Sequence, residues 1–395
     1  MTNPYKKYRY MMMLGHFCTD INQGALPAIL PFLIVHNNVS YAAAAGLIFA
    51  ANFVSSVIQP LFGYLGDKRS YPQLMALGIF LAGFGLGVIG FLEDYRLIFL
   101  CAAISGVGIA LFHPEGSRVA NIVSGKKKGS GMSFFSFGGS LGFAAGPILV
   151  SFFISVWGLK GTLALIVPSL AMSLVVLLSC KTIKRFKSEI GIQKVSKKPK
   201  RLQDDWGAFC KLSLAVFCRS IVSYGLITFI PIYFVKVLRQ TETFVDLNLT
   251  LFAAFGAAAT LFGGRFADRY GFNRIVKICF LTLLPFILLF LQADNVLLAV
   301  LLIVPMAIAL NGTGSAMIVM GQSFLPSKIG FAAGIIIGLG VSVGGVAMPF
   351  IGFIGDRFGL HLAMYILAFF AFLALVFAFI IPKYGSNKIA QAEKM

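Results

Sequence analysis

Stretches of about 20 apolar residues, separated by short polar or basic segments, recur from one end of the chain to the other. Each is long enough to cross ~30 Å of hydrocarbon as an α-helix. The pattern predicts helices over 10–34, 43–65, 73–92, 96–120, 131–155 and 160–182. A second series follows over 207–236, 243–267, 273–293, 296–320, 330–354 and 359–381. The longest polar break, KTIKRFKSEIGIQKVSKKPKRLQDDW at 181–206, divides the twelve spans into two groups of six. The expected organisation is a six-helix half at 1–182, a cytoplasmic linker at 183–206, and a second six-helix half at 207–395 with a short cytoplasmic tail. A soluble domain has no interior for so many continuous apolar helices, so the pattern is that of an all-α integral membrane protein.

Composition agrees with this. Of 395 residues 58% are hydrophobic and only 12% charged, against about a quarter charged in ordinary soluble domains. The first span begins like a signal peptide, but it is longer than a typical apolar leader, carries Asp20 and has no good small-residue cleavage site. It reads as a retained helix. The net charge of +19 raises the question of a nucleic-acid partner, and the distribution of basic residues answers it. With the N-terminus in the cytoplasm, most Lys and Arg fall in the even-numbered loops and the two tails, while the odd-numbered loops hold Arg96, Lys160, Lys236, Arg239 and Arg357. That is the positive-inside asymmetry. It predicts a multi-pass protein of the inner (cytoplasmic) membrane with both termini cytoplasmic, and no nucleic-acid binding. The basic linker is a solvated segment suited to contact with anionic lipid. The six cysteines are scattered and form no CxxC, which indicates neither a disulfide framework nor a zinc site.

Shifting the chain by 201 residues brings its halves into register. Gly63, Asp67 and Lys68 fall on Gly264, Asp268 and Arg269, Gly24 falls on Gly225, and Trp157-Gly158-Leu159 falls on Phe358-Gly359-Leu360. Two six-helix halves of like orientation joined by a cytoplasmic linker are a transporter architecture, with the substrate site expected between them near the bilayer midplane.

These residues resemble the major facilitator superfamily, and the resemblance covers nearly the whole chain. GYLGDKR at 63–69 looks like that family's GxxxD(R/K) motif between helices 2 and 3, and GRFADRYGFNR at 264–274 is a fuller copy between helices 8 and 9. The glycine permits close packing, and the aspartate can face the positive N-terminus of a helix from the other half. On the repeat, Asp67 is expected at the start of helix 11 and Asp268 at the start of helix 5. Gly142, Gly146 and Pro147 in helix 5 look like the GxxxGP motif associated with proton-coupled antiporters, although glycines at this spacing also serve simple helix packing. One departure stands out. Family members carry an arginine early in helix 4, ahead of a GxG; here Gly106-Val107-Gly108 is present but the arginine position holds Ala102. More narrowly, GHFCTDINQGALPAILPFL (15–33), SSVIQPLFGYLGD (55–67) and ALFHPEG (110–116) resemble the fosmidomycin-resistance-like branch. That resemblance implies efflux of a drug or metabolite driven by proton entry.

Charge inside the spans supplies the candidate chemistry. A charged side chain at the bilayer centre costs roughly 2.5–3.5 kcal/mol on insertion scales, and the carboxylates lying well inside predicted spans are Asp20 and Glu115. Near them in sequence stand His16, His113 and Arg118. His16, Asp20 and Gln23 share one face of helix 1, and Glu115 and Arg118 are three apart on helix 4. The family architecture sets helices 1, 4, 7 and 10 around the central cavity, so these groups are expected to form one network. In the leading hypothesis Asp20 and Glu115 include the proton-carrying group, with His16 and His113 as partners. Burial favours the neutral carboxyl and a cationic neighbour the charged one, so opening and closing the cavity would load and release a proton. The competing reading is a permanent Glu115–Arg118 bridge. Arg219, in helix 7, is a candidate anion-binding group or a gating partner for Asp20. Gln23, Asn52, Gln59, Ser136, Asn311 and Gln322 are further polar candidates.

The chain contains neither GxxxxGK[ST] nor HExxH, so ATP-driven transport and zinc proteolysis lack support. The sequence predicts a non-enzymatic secondary transporter without cofactor or metal, acting as a monomer in the bilayer with a small-molecule substrate and protons as partners. The first expectation is a proton-coupled antiporter exporting a drug-like or anionic metabolite. The alternative is a proton-coupled importer of an organic anion or sugar.

Overall fold

The computed structural model describes residues 7–37, 39–69, 71–195 and 203–383. Residues 196–202 of the expected linker and the tail beyond 383 lie outside the described residues. In the first half run α1 (Lys7–His36), α2 (Tyr41–Lys68), α3 (Gln73–Gly87), α4 (Tyr95–Val123), α5 (Lys128–Trp157) and α6 (Ile166–Val195). In the second run α7 (Trp206–Lys236), α8 (Glu242–Tyr270), α9 (Phe272–Phe290), α10 (Val296–Gly312), α11 (Gly314–Phe324), α12 (Ile329–Ala333), α13 (Gly340–Phe358) and α14 (Leu360–Ile380).

Eleven apolar helical stretches among the described residues are long enough to cross a membrane. One of them, Lys128–Arg185, is 58 residues long and is divided by a 3₁₀ segment at Gly158–Leu165 into α5 and α6. The fold is therefore all-α, with twelve spans in two pseudo-symmetric six-helix halves.

Polar residues in the loops start several of these helices. Ser40, Asp94, Asp205, Thr241 and Asn295 each accept a hydrogen bond from a backbone N–H in the first turn that follows, which meets one of the donors left open there. Gly158 and Gly359 occupy equivalent places in the repeat and both take positive φ, +61° and +93°. Both let the chain turn sharply from one span to the next, in a conformation a side chain disfavours.

The elements differ from the sequence pattern in three places. The tenth span breaks between α10 and α11 at Thr313, after an Asn-Gly pair with little helix preference. The eleventh passes from α12 through a π turn at Gly334–Leu339 into α13. There a Cβ at Gly334 would come within 2.7 Å of Pro60 Cα, and one at Gly338 within 2.5 Å of the Gln59 amide oxygen. The close approach of α2 accompanies the widened turn. The sixth continues as helix to Val195, because the charged stretch that ends the apolar run is still rich in residues that accept helical geometry.

Two compact units result. The first comprises 1–126, 134–202 and 327–339. Its apolar core is built from Ile21, Ile29 and Leu33 of α1, Leu47 of α2, Leu86 of α3, Ile98 and Ala102 of α4, and Val150 and Ile154 of α5. Ala102, where the family arginine would stand, is fully enclosed in that core. Within this unit α5 approaches α1 along Gly138, Gly139, Gly142 and Gly146. A Cβ at Gly142 would lie 3.0 Å from Ile21 N, and one at Gly146 2.7 Å from Ala25 N. The GxxxGP glycines thus pack helix on helix. The second unit comprises 127–133, 203–326 and 340–395. Tyr233 and Phe234 of α7 and Phe280 and Phe290 of α9 are buried in it. The Tyr233 hydroxyl donates towards the Leu291 and Ala293 carbonyls at 3.4 and 3.3 Å. Outside the cores, Ile148, Phe152, Val167 and Leu178 stand exposed, a surface suited to acyl chains.

Candidate functional site

In the first unit, α1 and α4 bring two imidazoles and a carboxylate together. His16 and Asp20, one turn apart on α1, approach to 3.2 Å (Nε2 to Oδ2). His113 of α4 reaches the other carboxylate oxygen at 3.1 Å (Nε2 to Oδ1). The two histidine Nε2 atoms are 3.0 Å apart. All three residues are buried. Phe135 of α5 stacks on the His16 ring at 4.1 Å between centroids.

The far side of each ring fixes its tautomer. His16 Nδ1 donates to the Phe135 carbonyl at 2.7 Å, and His113 Nδ1 donates to the Ile109 carbonyl at 3.0 Å. A carbonyl only accepts, so both Nδ1 atoms carry hydrogen. In the neutral rings both Nε2 atoms then present lone pairs to each other and to Asp20. Asp20 Oδ1 accepts no directed hydrogen bond, although His113 Nε2 is within ion-pair distance. A cluster of converging acceptors in a buried place is stable only with a cation among them.

Glu115 and Arg118 belong to another group. Arg118 Nη2 pairs with Glu115 Oε2, Nη1 donates to the Gly66 carbonyl, and Nη1 lies 3.6 Å from Asp67 Oδ1. Asp67 in turn accepts from the backbone N–H groups of Gly330 and Phe331, each at 2.8 Å, at the start of α12. A Cβ at Gly63 would strike the Gly330–Phe331 peptide, 2.8 Å from Phe331 N. The ion pairs therefore fall into two sets where one network was expected. His113 and Glu115 are two residues apart on α4, about 200° around the helix, so they face different neighbours.

The repeat places Asp268 similarly in the second unit. It accepts from Gly129 N at 2.8 Å, Ser130 N at 2.7 Å and Ser130 Oγ at 2.7 Å, at the start of α5. Gly264 lies beside Ser133, whose hydroxyl accepts from Gly264 N at 2.9 Å. The cations next to both aspartates turn onto aromatic rings: Lys68 lies 4.5 Å from the Tyr64 centroid and Arg269 5.3 Å from that of Tyr270.

Arg219 on α7 is a half-buried cation of the second unit. Its Nε donates to the Leu310 carbonyl at 3.0 Å and the Thr313 hydroxyl at 2.8 Å, where α10 ends. Among the described residues no carboxylate pairs with it. The break between α10 and α11 thus serves as its anchor.

The remaining candidates are spread out. Gln23 and Asn52 line a cavity of about 20 Å³ with Asn22, Ser105 and Ile109, which is room for a water rather than for a drug-sized molecule. Gln59 is buried; its amide donates to Ser55 Oγ at 3.0 Å, and its oxygen faces the π turn without a hydrogen-bond donor. The Ser136 carbonyl accepts from Ser140. Asn311 donates to the Ala307 carbonyl at 3.0 Å, and Gln322 is buried in α11. Three parts of the first cluster escape the sequence reading: the Phe135 and Ile109 carbonyls and Gly139. A Cβ at Gly139 would lie 2.5 Å from His16 Nε2 and 2.7 Å from Asp20 Oδ2. Gly139 lies beside the four-residue row Gly138, Gly142 and Gly146 on α5 and three residues before Gly142, which was the available signal; carbonyl partners leave none.

Known proteins share this architecture. The chain is 28% identical over 395 residues to the uncharacterized MFS-type transporter YfnC of Bacillus subtilis (strain 168), covering 95% of this chain and 93% of that one. It is 28% identical over 372 residues to the Fosmidomycin resistance protein of Escherichia coli (strain K12), covering 93% and 91%. The crystal structure of the E. coli fucose:proton symporter FucP superposes with a TM-score of 0.74 over 96% of this chain and 99% of that one, at 15% identity, a likeness of fold alone. The sequence model of the Major Facilitator Superfamily matches residues 12–239 and 212–394. With both halves matched and the fold shared, the chain belongs to the Major Facilitator Superfamily and is a transporter rather than an enzyme.

Proposed function

We propose that the protein is a proton-coupled antiporter that exports a small anionic or drug-like compound by alternating access. The observation that carries the choice of cargo is Arg219. A half-buried guanidinium whose Nε is held by Leu310 and Thr313, with no carboxylate paired to it among the described residues, is a cation prepared for an anionic group. The relative named Fosmidomycin resistance protein supports export, as does the GxxxGP glycine row of α5.

Proton coupling falls to the buried acid–histidine groups of the first unit. A proton is the smallest cation that can join the converging acceptors of His16, Asp20 and His113. The Asp67 cap on α12 and the Asp268 cap on α5 hold one state and are released in the other. The protein works as a monomer in the cytoplasmic membrane with both termini inside.

Inside-out vesicles with an acidic lumen and a pH-sensitive dye test this. Fosmidomycin, then a panel of organic anions and drugs, is added to wild type, Asp20→Asn and Arg219→Gln. Proton release on adding one compound, lost in Asp20→Asn, is the expected result. Loss of response to anionic compounds in Arg219→Gln assigns the anion site. Substrate uptake that runs with the proton, in the same direction, would establish import instead and overturn the proposal.

A further inference from the structure

We propose that His16, Asp20 and His113 form a binding site for one divalent transition-metal ion. The inference rests on neither the direction of transport nor its coupling to protons.

The spacing of the ligand atoms comes first. The contacts among the three residues are 3.0 Å (Nε2 to Nε2), 3.2 Å (His16 to Asp20) and 3.1 Å (His113 to Asp20). Around an ion bound at about 2.0–2.2 Å, neighbouring ligand atoms lie about 2.8–3.1 Å apart in octahedral and about 3.3–3.6 Å in tetrahedral geometry. A single ion therefore reaches both imidazoles and one or both carboxylate oxygens without moving α1 past α4.

The outer contacts come second. A histidine that binds metal through one nitrogen almost always donates its other ring N–H to a carbonyl or carboxylate, which fixes tautomer and ring orientation. Both histidines do so here, to the Phe135 and Ile109 carbonyls. Both Nε2 lone pairs are left pointing inwards at the same place.

Third, a metal satisfies what one proton does not. A proton shared along one edge leaves another pair of acceptors face to face. Asp20 Oδ1 shows this, being without a directed hydrogen bond at 3.1 Å from an imidazole nitrogen. A metal ion takes every one of these atoms as ligand. Space agrees, since Gly139 has no side chain to intrude on His16 Nε2 and Asp20 Oδ2.

Two imidazoles and one carboxylate suit Zn²⁺, Co²⁺, Ni²⁺ or Fe²⁺; Mg²⁺ and Ca²⁺ take oxygen ligands. The ion would bridge α1 to α4 and keep coordination positions for water or an anion. The absence of CxxC and HExxH from the sequence concealed this site, because its ligands are 93 residues apart at their closest between helices, from Asp20 to His113.

The test uses the full-length chain, purified in detergent without a histidine tag, stripped with EDTA and titrated with Co²⁺. The expected result is intense visible d–d absorption that saturates at one Co²⁺ per chain and is displaced by Zn²⁺. His16→Ala and His113→Ala each lose the saturable bands. His36→Ala and His361→Ala, at the chain's other two histidines, keep them. Zn²⁺ also raises the unfolding temperature of wild type and leaves that of His113→Gln unchanged, which separates lost ligation from lost folding. Wild type showing only the weak spectrum of aqueous Co²⁺, or bands that survive both site variants, would overturn the proposal.

Discussion

Glu115 and Arg118 are each 7% exposed, and their pairing lends itself to a double-mutant cycle. Arg118 serves three acceptors: Glu115, the Gly66 carbonyl and, at 3.6 Å, Asp67. Arg118→Met takes the cation from two carboxylates at once, and losing one partner of a buried pair costs about 3–5 kcal/mol. The upper end is expected here. Glu115→Gln leaves Arg118 with Asp67 and the carbonyl, so the lower end is expected. If the two effects added, the double variant would lose about 8 kcal/mol, more than many proteins have in total. With the ion pair removed as a unit, the double variant instead retains the stability of Arg118→Met or better. Thermal unfolding in detergent, followed by tryptophan fluorescence, measures all four proteins. Additive losses, or a double variant that cannot be isolated while both singles can, refute the reading of a standing ion pair. The cycle also bears on transport. On the proposed function, a Glu115 committed to Arg118 leaves proton carriage to Asp20, so Glu115→Gln should keep the proton coupling that Asp20→Asn is expected to lose.

Two further predictions follow from packing and capping. Gly142→Ala places a methyl 3.0 Å from the Ile21 backbone nitrogen. Backbone cannot give way, so overpacking of up to about 3 kcal/mol outweighs the roughly 1 kcal/mol gained by removing a helix glycine, and the unfolding temperature falls; an unchanged temperature would mean α1 and α5 are not in contact. Gly139→Ala meets only side-chain ends, so it should cost less stability while perturbing His16 and Asp20. Asp67→Ala and Asp268→Ala each remove a helix cap worth about 1 kcal/mol. Amide exchange should rise severalfold at Gly330 and Phe331 in the first and at Gly129 and Ser130 in the second, and exchange rising equally at both sites in either variant would disprove separate caps.

Much of the architecture was legible because a membrane span is a long, uniform signal. Twenty apolar residues admit one solution in hydrocarbon, and basic loops mark the ends. The 201-residue repeat likewise located Asp67 and Asp268 before any contact was visible. What sequence left open depends on helix rotation and on backbone atoms. The grouping of His113 with Asp20, and of Glu115 with Asp67, turns on the phase of α4 against α1 and α2. The π turn before α13 answers to Gln59 and Pro60 on another helix, and no local residue announces it. Carbonyl partners such as Phe135 O carry no side-chain signature at all.

The repeat shares packing between the halves but not chemistry. Gly63 and Asp67 have working equivalents in Gly264 and Asp268, and Gly158 has one in Gly359. The charged groups do not. Shifted by 201, His16 falls on Phe217, Asp20 on Ile221, His113 on Gly314, Glu115 on Ala316 and Arg118 on Val319; in reverse, Arg219 falls on Cys18. These acid and histidine groups stand in the first half, and Arg219, half-buried and without a carboxylate partner among the described residues, in the second. The two aspartate caps differ for the same reason. Asp67 has Arg118 at 3.6 Å, whereas Asp268 adds a hydroxyl from Ser130 to its two backbone donors. A change of charge at Glu115 can therefore reach the α12 cap through Arg118, and nothing equivalent links Arg219 to the α5 cap among the described residues. On the proposed function, the response to a cation belongs with the half whose aspartate cap is tied to Arg118, and recognition of cargo with the half that holds Arg219. A pseudo-symmetric scaffold with contents polarised in this way would let one half respond to the ion while the other holds the substrate.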